Sequence, residues 1–176
     1  MDLPGTYSLQ PGSAEEEVTR DYLLSGEADV TLVVADATCL RRNLALVLQV
    51  LEKAWPVVVC VNLLDEAAKK GIRVDLGKLS KLLGCPVVGA AARGGRGLEE
   101  LRQALEGAVL TPAPRPAGTG APACPGCPNC AGRPDAGSLP DAGCRTAALM
   151  ARAAAIADEA VEEDEERSHR RDRALD

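Results

Sequence analysis

The sequence has almost no aromatic side chains, with no Phe, two Tyr and one Trp in 176 residues. Proteins that grip single-stranded nucleic acid stack bases on aromatic faces, so this composition argues against that class of partner. It also requires an interior of Leu, Val, Ile and Ala. Positive charge is in short supply: 20 Lys and Arg stand against 26 Asp and Glu, a formal net charge of −6. A nucleic-acid backbone or an anionic membrane surface selects a basic face, so neither is an expected partner. No apolar run approaches the roughly 18 residues of a spanning helix. The acidic N-terminus has neither the basic flank nor the apolar run of a signal peptide, and the chain reads as cytoplasmic. The single histidine, His169, lies in a charged tail and reads as a surface residue.

Hydrophobic residues make up 46% of the chain, ample for a core. Residues 1–110 alternate β-branched runs with helical periodicity, the pattern of a parallel sheet with crossover helices. "VTLVVADA" (30–37), "PVVVCVN" (56–62) and "PVVGAA" (86–91) read as strands covered on both faces. Between them, Leu40, Leu44, Val47 and Leu51 share one helical face. A second helix is expected over 74–83, with Leu76, Leu79 and Leu83 on one side, and a third over 97–108, with Leu98, Leu101 and Leu105 inward. "SAEEEVTRDYLL" opens with Ser13 and Glu16 as a capping box. Cys60 and Cys85, two of seven cysteines, sit inside apolar runs and read as reduced core thiols.

Residues 111–144 are too rich in Pro, Gly and Ala for regular structure and read as a linker or insertion. From about Arg145 a helix resumes with Leu149, Ala153, Ile156 and Ala160 as its apolar stripe. It runs on into "EEDEERSHRRDR", a solvated face with Glu163–Arg167 and Glu166–Arg170 at i,i+4. In the linker, Cys124, Cys127 and Cys130, with Cys144 fourteen residues on, supply thiolates suited to Zn²⁺ or iron, with Asp141 or water available to complete the shell. The other reading is a linker with unused thiols.

Ligands of open parallel sheets bind at the carboxyl ends of the strands, so the residues after each strand matter most. "NLLD" (Asn62, Leu63, Leu64, Asp65) follows the second strand. Asn62 and Asp65 can simply cap a helix, or they can read guanine, whose N1–H and 2-amino group both donate to one carboxylate. "AAARGGRGLEEL" follows the third strand, either as a plain turn or as a loop whose amides donate to a base carbonyl. "DLPG" (Asp2, Leu3, Pro4, Gly5) is either a Pro-Gly turn or a phosphate-sensing turn. In the second case Asp2 acts on Mg²⁺ through its water shell, and Gly5 lets a backbone N–H approach the terminal phosphate.

D-x-x-G, about sixty residues to N-x-x-D, then about twenty-five to a small-residue turn, is the order of the last three motifs of a P-loop GTPase. "DLPGTYSL", "DATCLRRNLALVLQVLE", "VVVCVNLLDEAAKKGIRVDLGKLSKLLGCPVV" and "RGGRGLEEL" closely resemble the cytosolic G domain of the ferrous iron transport protein B (FeoB) family. The resemblance implies an α/β fold: a partial Ras-like P-loop GTPase sheet with flanking helices over 1–110, the linker over 111–144, and a helical segment over 145–176 leading toward a membrane domain. It implies guanine reading by Asn62 and Asp65, γ-phosphate and Mg²⁺ sensing by Asp2 and Gly5, and a base loop at Ala91, Ala92 and Arg93. The family has Ser-Ala-Arg there, so Ala91 lacks a hydroxyl that helps fix the loop, and weaker binding and faster nucleotide release are expected.

GTP or GDP with Mg²⁺ are the implied ligands, and the transporter's membrane domain is the implied partner, with the G domain at the cytoplasmic face of the membrane. The sequence contains no G-x-x-x-x-G-K-[ST]. The family is one of GTPases, and these residues alone are expected to hydrolyse GTP poorly. The same chain would arise from a split or mis-started reading frame. The competing expectation is a catalytically inactive regulatory or metal-binding module built on the cysteine loop.

Overall fold

The structure, a computed structural model, describes residues 1–5, 14–111 and 142–163. The uninterrupted valine runs form two parallel strands, β1 (Thr31–Asp36) and β2 (Val57–Asn62), paired from Thr31↔Val57 to Asp36↔Asn62. A third, β4 (Val87–Gly89), adds in parallel on the far side of β2, giving the order β1-β2-β4. Parallel neighbours need crossovers, and helix α2 (Leu40–Leu51) supplies the first. The second is built from α3 (Leu64–Lys69), the short strand β3 (Ile72–Val74) and α4 (Leu76–Leu83). This is the expected α/β architecture.

Leu40, Leu44, Val47 and Leu51 of α2 are all buried, as their spacing predicts. They meet Val33 and Ala35 of β1, Val57, Val59 and Val61 of β2, and a C-terminal helix in one core. That helix, α6 (Ala142–Ala160), begins slightly before the expected Arg145 and buries Leu149, Ala153, Ile156 and Ala160 against this core. Helix α5 (Leu98–Leu110) packs on the opposite face, against β2 and β4. An amphipathic helix α1 (Ala14–Ser25) precedes the sheet, with Leu23 buried. Ser13 of the expected capping box lies outside the described residues.

Four expectations are corrected. Val74 lies in β3 and not in the helix after it, because Asp75 caps α4: its carboxylate accepts from the Lys78 N–H at 2.8 Å. Helix α6 ends at Ala160, before the charged residues that the helix was expected to include. Val161–Glu163 forms strand β5, antiparallel to β3, and the Asp75 N–H donates to the Ala160 carbonyl at 2.8 Å beside it. The i,i+4 pairs expected after it involve residues outside those described. Leu98 is 46% exposed, since it starts α5 ahead of the sheet it covers. Lastly, β2 is buried on both faces but β1 is not. As the outer strand of the sheet it leaves Leu32 39% and Val34 58% exposed.

Cys60 and Cys85 are buried free thiols, as their apolar settings predict. Burial pushes the Cys85 thiol up to about 12 and raises Cys60 in the same direction.

Candidate nucleotide site

At the carboxyl end of β1, the Asp36 carboxylate turns back to accept from the Thr38 N–H at 2.7 Å. The Asp36 N–H donates to Asn43 Oδ1 at 3.1 Å, and the Asn43 amide donates to the Cys39 carbonyl at 3.2 Å. These bonds fold the chain from β1 into α2, with Asp36 beside Asn62 across the ladder. Cys39 is exposed, and its thiol is raised by partial burial first and by the Asp36 carboxylate second.

The next strand end carries the predicted base-reading pair. After Asn62 the backbone enters the left-handed region at Leu63 (φ 62°), a conformation uncommon for a bulky residue. This reversal starts α3 at Leu64, within one residue of the strand, and places Asp65 half-buried in its first turn. The Leu64 N–H donates to the Ala90 carbonyl at 3.2 Å, and the Ala90 N–H donates to the Val61 carbonyl at 2.8 Å, so "NLLD" is laced to the end of β4.

Asn62 does more than end a strand. Its Oδ1 accepts from the Ala92 N–H at 3.1 Å, thirty residues away, tying the asparagine to the loop after β4. That loop closes on itself. The Ala91 N–H donates to the Arg96 carbonyl at 3.0 Å, Ala92–Gly94 forms a 3-10 turn, and Gly95 and Gly97 both take left-handed conformations (φ 71° and 80°). Between α3 and this loop lies a recess of about 420 Å³, lined in part by Leu64, Asp65, Lys69, Gly89, Ala91 and Arg96. One wall offers a carboxylate and the other offers backbone and a guanidinium. A planar ligand with donors on one edge and an acceptor on another suits such walls.

The structure thus brings Asn62, Leu63, Leu64 and Asp65 against Ala91 and Ala92. Of these, Leu64, Asp65 and Ala91 line the recess, while Asn62, Leu63, Ala92 and the exposed Arg93 do not; Arg96 does. Asp2, Leu3, Pro4 and Gly5 do not line it either. The Pro4 carbonyl accepts from the Thr19 hydroxyl at 3.4 Å, which sets that turn against α1, with Asp2 exposed. Cys124, Cys127 and Cys130 lie outside the described residues, as does the Cys144 side chain. Among the described residues no cluster of His, Cys, Asp or Glu is arranged to hold a metal. Sequence reasoning missed Arg96 and the separate roles of the glycines in "RGGRG". A glycine-rich run signals a turn, and only coordinates separate a glycine that a turn needs from one that a neighbour's backbone requires.

A family model, Ferrous iron transport protein B, matches residues 1–105. The chain belongs to the ferrous iron transport protein B family. It is 46% identical over 110 residues to the Fe(2+) transporter FeoB of Salmonella typhimurium and, to the same degree, to that of Escherichia coli K12. In both cases the match covers 60% of this chain and 14% of the relative, so the chain spans a small part of the length of the FeoB proteins it matches. Among solved structures, the cytosolic domain of the T. maritima FeoB iron transporter in its GMPPNP form superposes with a TM-score of 0.73 at 28% identity, over 92% of this chain and 79% of that one. A mutant of S. thermophilus NFeoB bound to GDP gives 0.61 at 40% identity, over 65% of this chain and 45% of that one. The FeoB G-domain of Methanococcus jannaschii gives 0.60 at 41%, over 62% and 70%. The sheet and helices described above are therefore those of a FeoB G domain, a Ras-like GTPase fold.

Proposed function

We propose that this chain is the guanine-reading part of the GTP-binding domain of a ferrous iron transporter, where nucleotide binding at the cytoplasmic face of the membrane regulates Fe(II) uptake through the transporter's membrane domain. The observation that carries this reading is the bond from Asn62 to the Ala92 amide, with Asp65 half-buried on the adjacent helix turn. It ties together two segments far apart in sequence beside the recess that Asp65 and Ala91 line, which a plain helix cap does not require. Family membership and the GDP bound to the S. thermophilus relative support the same ligand class.

In this reading Asp65 accepts from guanine N1–H and the 2-amino group, and the loop at Ala91, Ala92 and Arg93 faces the 6-oxo group, its Ala91 and Ala92 N–H held by the Arg96 carbonyl and Asn62 Oδ1 so that they fix the loop's shape. Bonds to a charged acceptor contribute roughly 1.5–3 kcal/mol each, so the carboxylate alone favours guanine over adenine by tenfold or more. Asp2 and Gly5 serve the phosphate end. Asp2 is exposed, and among the described residues no atom lies within 4 Å of where a Gly5 side chain would begin, which leaves this side of the turn to Mg²⁺ and a terminal phosphate. The metal's contribution when bound is to neutralise phosphate charge. Asp2 would hold the metal through its water shell, and Gly5 leaves room for its own N–H to reach the phosphate.

Nucleosides isolate base reading from phosphate binding. Titrating ¹⁵N-labelled chain with guanosine is expected to shift the amides of Asp65, Ala91 and Ala92, with at least about tenfold weaker response to adenosine. Equal responses to the two nucleosides, or guanosine shifts elsewhere only, would overturn the assignment.

A further inference from the structure

Gly97 and Gly89 make a backbone contact that the base-reading mechanism leaves unexplained. Gly97 sits at φ 80°, and a Cβ there would lie 2.1 Å from the Gly89 carbonyl oxygen and 3.0 Å from the Ala90 Cα. The obstacle is main chain, which has no rotamer to yield. On its other side Gly89 meets Leu64: a Cβ on Gly89 would lie 2.5 Å from the Leu64 Cδ1, and equally close to the Leu76 Cδ1. Gly95 provides a contrast, having almost the same left-handed backbone (φ 71°) but nothing within 4 Å of its missing side chain. A turn alone explains Gly95. At Gly97 the approach of a second backbone adds to the same left-handed requirement.

The stack runs in the order Leu64, Gly89, Gly97. Leu64 lies between Asn62 and Asp65, and Gly97 ends the loop that starts at Ala91. The two glycines therefore fix how closely the "NLLD" turn and the base loop approach, the two segments that Asn62 and Ala92 bond across. We infer that Gly97, seated against Gly89, is a positioning residue for guanine recognition: the close backbone approach sets the gap between Asp65 and the base-loop amides and so sets base selectivity. The inference rests on the guanine reading of this site. It also assigns to a backbone contact the loop-fixing task for which Ala91 has no hydroxyl, with the Ala91–Arg96 bridge closing the other end.

Selectivity is the readout, because a loss of general stability lowers binding of every nucleoside in proportion, whereas a widened gap spoils the ligand with donors on one edge and an acceptor on the other. The full 176-residue chain is titrated with guanosine and with adenosine as wild type, Asp65→Asn, Gly97→Ala and Gly95→Ala, with the thermal melt of each recorded. The expected result is a guanosine preference of about tenfold or more that is lost in Gly97→Ala and survives in Gly95→Ala. A folded Gly97→Ala chain that keeps the preference, beside an Asp65→Asn chain that loses it, overturns this inference and leaves the guanine reading standing. Absence of any guanosine preference in wild type overturns both. If Gly97→Ala does not fold, Gly89→Ala decides, because its Cβ meets only the movable tips of Leu64 and Leu76. Loss of preference there supports the inference, and an unchanged preference overturns it.

Discussion

Asn62 shows how one side chain serves two segments. Replacing it by alanine leaves the Ala92 N–H without its 3.1 Å acceptor, a bond of the kind that contributes about 0.5–1.5 kcal/mol net. Asn62→Ala is expected to lower unfolding free energy by about 1 kcal/mol in a urea titration and to speed hydrogen exchange at the Ala92 amide. An unchanged exchange rate would mean that the loop holds itself closed. A second residue-level prediction concerns Cys85, whose thiol is pushed up to about 12 by burial. An unfolded thiol titrates near 8.5. Above that pH the unfolded chain releases a proton that the folded chain keeps, so this contribution is complete below about pH 8.5 and is lost as pH rises toward 12, at about 1.4 kcal/mol per pH unit. Denaturant unfolding between pH 8.5 and 10.5 is expected to fall less steeply in Cys85→Ala, by one proton's share. At this scale the sequence was informative wherever chemistry depends on residue type: the core thiols and the Asn62–Asp65 pair. It was silent on Gly97 and on Arg96, whose parts depend on which backbone they approach.

Elements follow the same division. The stripes of α2 and α6 were legible because burial selects apolar residues at helical period, and every residue predicted to line them is buried. Strand β5 was not legible. Its three residues, Val161, Glu162 and Glu163, continue a helical charge pattern, and what turns them into a strand is the edge that β3 offers, a partner distant in sequence. The Asp75 cap, also overlooked, explains where β3 stops and α4 starts. Asp75→Ala removes the 2.8 Å bond to the Lys78 N–H and is expected to cost about 1 kcal/mol, read from the denaturation midpoint at constant slope. Ile156→Ala probes how firmly α6 is held on α2. Ile156 is buried in the shared core, and removing its side chain is expected to cost about 2–5 kcal/mol. Loss of less than about 0.5 kcal/mol would mean that α6 is not docked there in solution.

On the scale of the whole molecule, the core lies mainly on one side of the sheet, and the outer strand β1 presents Leu32 and Val34 on its other face, 39% and 58% exposed. Among the described residues β1 has no strand on its outer edge, and an open edge flanked by exposed aliphatic residues promotes association. The 176-residue chain is expected to sediment with concentration-dependent self-association, and Val34→Lys is expected to reduce it. Monodisperse behaviour of the unaltered chain across a wide concentration range would contradict this. The same geometry leaves the carboxyl ends of β1, β2 and β4 at one end of the sheet, where Asp36, Asn62 and the base loop converge. The central claim is that this convergence reads guanine through the Asp65 carboxylate. Exchanging Asp65 for Asn puts an amide donor where guanine needs an acceptor, and the 2-oxo group of xanthine accepts from that amide. Measured by amide shift titration, the unaltered chain is predicted to prefer guanosine over xanthosine and Asp65→Asn to reverse that order. If the two chains respond equally to guanosine and neither gains xanthosine, Asn62 and Asp65 only start a helix, and the guanine assignment is wrong.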